Sequence, residues 1–234
     1  MQLTIRDAVR LLRVTEETVE RWIRNGELPA ERVDDRYRFN RVDLLEFAVQ
    51  HRLPVTAEIL EDPGAPAAVR LASAVRAGGV HRALRAADAE GLLAEMVARL
   101  PVPPGFDRAF LLEMVRAREH LGSTALQAGI AIPHPREPIV LRVGQPAAAV
   151  FLPDAPVPFG AGGEPVHTLV LLVCPSTRAH LLLLANLAAA LRDPGVVRLL
   201  AGRAADEEIF AAFDDVERER ERRRAEGVAR SDGA

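Results

Sequence analysis

The chain has 234 residues, 49% of them hydrophobic, 27% charged and only 4% aromatic, so it can form one large or two smaller globular domains around a mainly aliphatic core. A formal net charge of −3 excludes an overall electrostatic pull toward nucleic acid or anionic lipid. All basic residues are arginine, which excludes Schiff-base and Walker-lysine chemistry, and the single cysteine, Cys174, excludes an internal disulfide framework.

The first unit spans residues 1–53. "TIRDAVRLLRV" puts Ile5, Ala8, Leu11 and Leu12 on one helical face behind Thr4 as N-cap. "TEETVERWIRNGELP" predicts a second helix, capped by Thr15, with Val19, Trp22 and Ile23 as its apolar face. Asn25-Gly26 stops it and Pro29 confirms the stop. Alternation on both sides of Asp34-Asp35 in "AERVDDRYRFN" predicts a short hairpin or wing, and "RVDLLEFAVQHRL" a third helix. The spacing of Trp22 favours a core role over base stacking. The run from Pro54 to Ala67, with Pro54, Pro63, Gly64 and Pro66, reads as a linker.

From Ala68 to Val216 the pattern is α/β. "GVHRAL" predicts a short strand, "DAEGLLAEMVARL" a helix capped by Asp88, and "FDRAFLLEMVRAREHL" a second helix. Strands are predicted at "GIAIP", "PAAAVFL" and "HTLVLLVC". "RAHLLLLANLAAALRD" is a helix too apolar for a surface, and "PGVVRLLAGR" and "DEEIFAAFDDV" predict further short helices. Residues 217–234 form a charged tail, read as a solvated helix extension that frays. No segment has the roughly 20 apolar residues of a membrane span, and the N-terminus lacks an apolar signal core, so the chain reads as cytoplasmic.

Among six histidines, His134 stands out, held between Pro133 and Pro135 just after a predicted strand. Pro135 restricts His134 to extended backbone, and the rigid loop suits a nucleophile. A neutral imidazole can attack phosphorus to give a phosphoramidate that passes the group on. Taken alone, a histidine in a proline-rich turn is more readily structural. Its surroundings shift that balance: Arg116, Arg118, His120, Ser123 and Thr124 lie upstream, and His180 lies downstream at a helix start, where phosphate is welcome. His167, His81, His120 and His51 read as structural or surface residues. The glycines of "FGAGGEP" read as a turn, and no zinc-ligand spacing occurs.

"REHLGSTALQAGIAIPHPRE" followed by "PVHTLVLLVCPSTRAHLLLLANLAAALRD" resembles the enzyme IIA domain of the phosphoenolpyruvate-dependent phosphotransferase system, fructose/mannitol/nitrogen-regulatory type. The resemblance implies a mixed β-sheet flanked by helices, with His134 the phosphorylated residue and His180 its hydrogen-bonding assistant. It implies that Arg118 stabilises phosphate charge and places Ser123 and Thr124 nearby. "ALQAG" departs from the Gly-Asn-Gly-like loop frequent in the family. No cofactor is implied. The expected partners are an HPr-like phosphodonor and a IIB or regulated target protein.

The N-terminal unit resembles the excisionase or MerR-like winged helix–turn–helix, which implies double-stranded DNA as partner and often a homodimer. Thr18, Arg21 and Arg24 would then lie at the groove, with Arg36, Arg38 and Arg41 from the wing. Ten arginines and ten acids leave residues 1–53 formally neutral, unlike most phosphate-bound modules, and Glu16, Glu17 and Glu20 would repel DNA phosphates. A protein-interaction role for the same fold stays open. Three functions follow: a regulatory phosphocarrier coupled to a DNA-binding module, a transcription regulator using its IIA domain as a protein-binding or sensory platform, and a plain sugar-transport IIA.

Overall fold

The computed structural model describes residues 3–33, 36–56, 69–126, 128–136, 143–160 and 162–231. The Asp34-Asp35 wing tip and most of the expected linker, residues 57–67, lie outside them. The first unit begins with α1 (Ile5–Leu12), closed by a capping box in which Thr4 and Asp7 exchange side-chain bonds to each other's backbone N–H. Thr15 caps α2 (Glu16–Arg24), which ends at Asn25. β1 (Glu31–Val33) and β2 (Arg36–Arg38) pair antiparallel as the wing, and Asn40 caps α3 (Arg41–Gln50). Trp22 is half-buried, its ring 4.8 Å from that of Phe47, so it belongs to the core of this unit. Thr56 N–H donates to the Leu11 carbonyl at 3.0 Å, fastening the residues after α3 back onto α1.

The second unit contains α4 (Leu71–Gly78), β3 (Val80–Leu84), α5 (Ala89–Arg99), α6 (Arg108–His120), β4 (Ala125–Leu126), β5 (Ile130–Ala131) and β6 (Ala147–Pro153). After these come β7 (Val157–Phe159), β8 (Glu164–Val166), β9 (Thr168–Val173), α7 (Thr177–Ala190), α8 (Pro194–Ala201) and α9 (Asp206–Ser231). The main sheet has the order β3-β6-β9-β5-β4 and is mixed: β3–β6 and β5–β9 are parallel, β6–β9 and β4–β5 antiparallel. β7 and β8 form a separate hairpin whose turn holds the glycine-rich segment.

Side chains of a strand alternate between faces, and here that divides the core in two. Ala148, Val150 and Leu152 of β6, with Val170 and Leu172 of β9, enter one cluster with α7 and α9. Ala149, Phe151, Leu169, Leu171 and Val173 enter the other, under α5 and α6. The first cluster also takes in the helix–turn–helix core, Leu12, Val42 and Leu45 among it. The two units therefore share one apolar interior.

Three expectations need correction. No element was expected at α4, whose small residues give little periodicity. It lies so close to β6 that a Cβ on Gly78 would sit 2.3 Å from a backbone atom of Ala148. The strand at "GIAIP" shrinks to two residues because Pro133 cannot donate to a ladder. The helix at "DEEIFAAFDDV" runs on through its expected extension, 26 residues in all, but part of that extension faces inward. Glu217 is not solvated: it is buried and accepts from the N–H groups of Leu71 at 2.7 Å and Ala72 at 3.4 Å. It thereby caps α4, whose own N-cap residue Arg70 makes no side-chain cap. Among the described residues no single helix is long and apolar enough to cross a membrane.

Candidate functional site

His134 is set by the end of the sheet. Ile132 N–H donates to the Thr124 carbonyl at 3.1 Å and the Pro133 carbonyl accepts from Leu172 N–H at 3.3 Å, so the Pro-His-Pro loop continues the β5 edge. His134 is 2% exposed, and its Nδ1 lies 2.5 Å from the Ile132 carbonyl. A carbonyl only accepts, so Nδ1 carries a proton and Nε2 is the nitrogen turned to the site.

His180 lies in the first turn of α7, which Ser176 caps by accepting from Ala179 N–H at 3.2 Å. The two imidazoles lie 4.8 Å apart between centroids, tilted by 44°. His180 is fully buried, and neither of its ring nitrogens has a hydrogen-bond partner. Burial first, and the neighbouring His134 charge second, push its pKa down to about 3, so it is neutral. Arg118, in the last turn of α6, is 8% exposed and donates to the Gly122 carbonyl at 2.8 Å.

The three site residues expected from sequence thus converge. Thr124 lines the small void beside His134, but its hydroxyl donates to Glu119 at 2.6 Å. The Ser123 hydroxyl accepts from Ala125 N–H at 3.1 Å. Both therefore shape the loop in this arrangement. Cys174, one residue beyond β9, is buried, and burial pushes its thiol up to about 12, which removes it as a nucleophile.

The residue that sequence reasoning missed is Glu46 of α3. Its carboxylate reaches across from the helix–turn–helix unit and is 5% exposed. Oε1 is hydrogen-bonded to His134 Nε2, and Oε2 to Arg118 through Nη2 and through Nε, the latter at 2.6 Å. Burial works to raise the Glu46 pKa, but the charge and hydrogen bonds of His134 and Arg118 outweigh it and bring it down to about 2. With oxygen acceptors at both ring nitrogens, His134 is held here as an imidazolium between carbonyl and carboxylate.

Glu46 does not act alone. Asp43 takes a bidentate pair from Arg136, at 3.0 Å from Nε and 2.6 Å from Nη2. Gln50 donates to the Ser123 carbonyl at 2.5 Å. Positions 43, 46 and 50 follow the i, i+3, i+7 spacing of one helix face, a polar stripe set against the His134 face of the other unit. That stripe was a readable signal. Beside it lies a cleft of ≈ 390 Å³, lined by residues of both units including Glu27, Arg38, Asp43, Gly122 and Arg136.

Glu46, His134 and His180 also place one ligand-type atom each within 4.8 Å of one another, and zinc takes such residues. The Arg118 guanidinium on the same carboxylate opposes a dication there. The residues expected at DNA divide differently. Thr18, Arg21 and Arg24 sit on α2, where Arg21 and Arg24 are exposed and Arg24 lies 3.5 Å from Glu20. Arg36 is exposed on the wing, Arg41 is half-buried at the start of α3, and Arg38 lines the cleft between the units.

Comparison with known proteins finds two domain matches and a set of relatives. Residues 75–216 match the family model of the phosphoenolpyruvate-dependent sugar phosphotransferase system, EIIA 2, and residues 3–52 match a helix-turn-helix domain. A nitrogen regulatory protein of Pseudomonas aeruginosa is 39% identical over 128 residues, covering 53% of this chain and 80% of that protein. Its Escherichia coli counterpart is 34% identical over 132 residues, covering 54% and 76%. The crystal structure of nitrogen regulatory protein IIA-Ntr from Neisseria meningitidis superposes with a TM-score of 0.52 at 26% identity, over 61% of this chain and 98% of that one. With a family-model match over more than half its length, the chain belongs to the EIIA type 2 family of the phosphotransferase system, carrying a helix–turn–helix domain ahead of the matched stretch.

Proposed function

We propose that the chain is a regulatory phosphocarrier of the cytoplasm, accepting a phosphoryl group from an HPr-like protein on His134 and coupling that state to a DNA-binding module. The observation that carries this reading is the anchoring of His134 Nδ1 on the Ile132 carbonyl, which leaves Nε2 to attack beside Arg118 and His180. In the transfer, the donor's P–N bond breaks and a P–Nε2 bond forms, while Nδ1 keeps its proton. Arg118 offsets the charge on the equatorial oxygens and neutral His180 offers them an N–H. Ser123 and Thr124 hold the loop around the site. The phosphoryl group then passes to water, a IIB protein or a regulated target. Incubation with phosphoenolpyruvate, enzyme I and HPr is expected to place an acid-labile phosphate on His134, located by mass. A His134→Ala chain that still took up phosphate would sink the assignment.

The DNA half of the proposal rests on the exposed arginines of α2 and the wing. It predicts a salt-sensitive gel shift with a specific duplex, and equal retention of random and genomic DNA counts against it. A homodimer on a two-fold site is the corresponding assembly. The second reading, a regulator whose IIA domain serves as a protein-binding platform, is favoured by one observation: α3 already occupies the His134 face.

A further inference from the structure

We infer that the His134 pocket is also the docking socket for the chain's own helix–turn–helix unit, with the Glu46 carboxylate standing where the phosphoryl group would bind. Occupancy by α3 and phosphorylation are therefore mutually exclusive. This rests on the reading of His134 as phosphoryl acceptor.

Four observations carry it. Glu46 offers an anionic two-oxygen head to the Nε2 and guanidinium groups that a phosphoryl group needs. The contact buries Asp43 and Glu46, and buried carboxylates are kept only where partners are supplied. Arg136, His134 and Arg118 supply those partners from the other unit, and beside them the Ser123 carbonyl accepts from the Gln50 amide. The mimicry is also incomplete: Glu46 spends one oxygen on His134 and the other on Arg118, leaving both nitrogens of His180 unpaired. A phosphoryl group has a third oxygen to satisfy His180, so the site is better matched to phosphate than to its occupant.

The chemistry sets the order of events. The Nε2 proton lies in the bond to Glu46, so the nitrogen has no lone pair for phosphorus while α3 is docked. When α3 leaves, that proton passes to solvent and Nε2 becomes the nucleophile. Once the P–Nε2 bond has formed, the phosphoryl charge repels Glu46 and claims Arg118, and α3 stays out. By reciprocity, whatever holds α3 on the socket slows phosphorylation, and phosphorylation expels α3 by the same coupling.

The test compares the full chain with Glu46→Ala and Glu46→Gln, supplied with phosphoenolpyruvate, enzyme I and HPr. The uptake rate scales with the undocked fraction, so both variants are expected to gain roughly tenfold over the parent chain. Small-angle scattering of the phosphorylated parent is expected to show the larger radius of gyration of the unphosphorylated Glu46→Ala chain. A Gln50→Cys, Leu121→Cys chain bridged by a bismaleimide across the cleft that both residues line keeps the question decidable if the Glu46 variants fold poorly. It should refuse phosphate, while the same chain left unbridged accepts it. Phosphate uptake independent of Glu46 and of the bridge, with no change in radius, overturns the socket. Absence of phosphate from every chain, the Glu46 variants included, overturns instead the phosphocarrier reading on which it rests.

Discussion

Helices α2 and α3 belong to one helix–turn–helix unit, yet they treat charge in opposite ways. α2 turns Glu16, Glu17, Arg21 and Arg24 to solvent and buries only Val19. α3 is buried along almost its whole length, Asp43 and Glu46 included. A charge at a surface needs no partner, since water screens it, and such pairs contribute about 0–1 kcal/mol. A buried charge is kept only when a partner is built for it. The difference leaves α2 facing solvent and α3 committed to the second unit.

A graded series of substitutions, with acid as one condition, separates the two helices. The largest effect is expected from Arg118→Ala, which leaves the Glu46 carboxylate buried with His134 alone. Removing one member of a buried pair costs about 3–5 kcal/mol, read by denaturant unfolding. A loss below about 1 kcal/mol would place this pair with the surface ones. Adding Glu46→Ala should recover part of the loss, and a double-mutant cycle measures the coupling. Next comes Asp43→Ala, which takes the bidentate carboxylate from half-exposed Arg136, at about 1–3 kcal/mol.

Acid should act on the same contact. His180 is held at about 3, below its ordinary 6.5, so the unfolded chain binds the extra proton between those values. Stability is then present above 6.5 and falls with pH toward 3, by up to about 1.4 kcal/mol per pH unit. Below 4.5 Glu46, held at about 2, adds to the same slope. His180→Leu should flatten the upper part of the curve, and an unchanged slope would remove His180 as its source. The smallest effect on folding belongs to α2: Arg21→Ala and Arg24→Ala should each change stability by less than about 0.5 kcal/mol. Each should still weaken retention of duplex DNA and lower the salt slope by about one.

The sequence made the chemistry of the second unit readable but not its occupant. His134, Arg118 and His180 lie in runs whose turn residues announce strand and helix ends, and those ends put them together. Caps at Thr4, Thr15 and Asp88 were legible because their partners lie within three residues. Glu46 meets His134 across 88 positions and Arg118 across 72, beyond the reach of any local pattern. Only the stripe at 43, 46 and 50 hinted that α3 had a second partner. α4 escaped for a related reason, because its cap comes from α9, 146 positions away.

That borrowed cap has a consequence for how the chain matures. Contacts of long sequence separation form late, since the chain must close a large loop before any reward arrives. The helix–turn–helix unit has its caps nearby and is the first part of the chain to leave the ribosome, domains emerging N-terminal first. α4 must wait for Glu217 before its first turn is satisfied, and His180 arrives only with α7. During synthesis, then, α3 carries two acidic side chains and an amide toward a receptor that does not yet exist. A newborn chain passes through an interval with α3 already made and the surface that buries it still unbuilt.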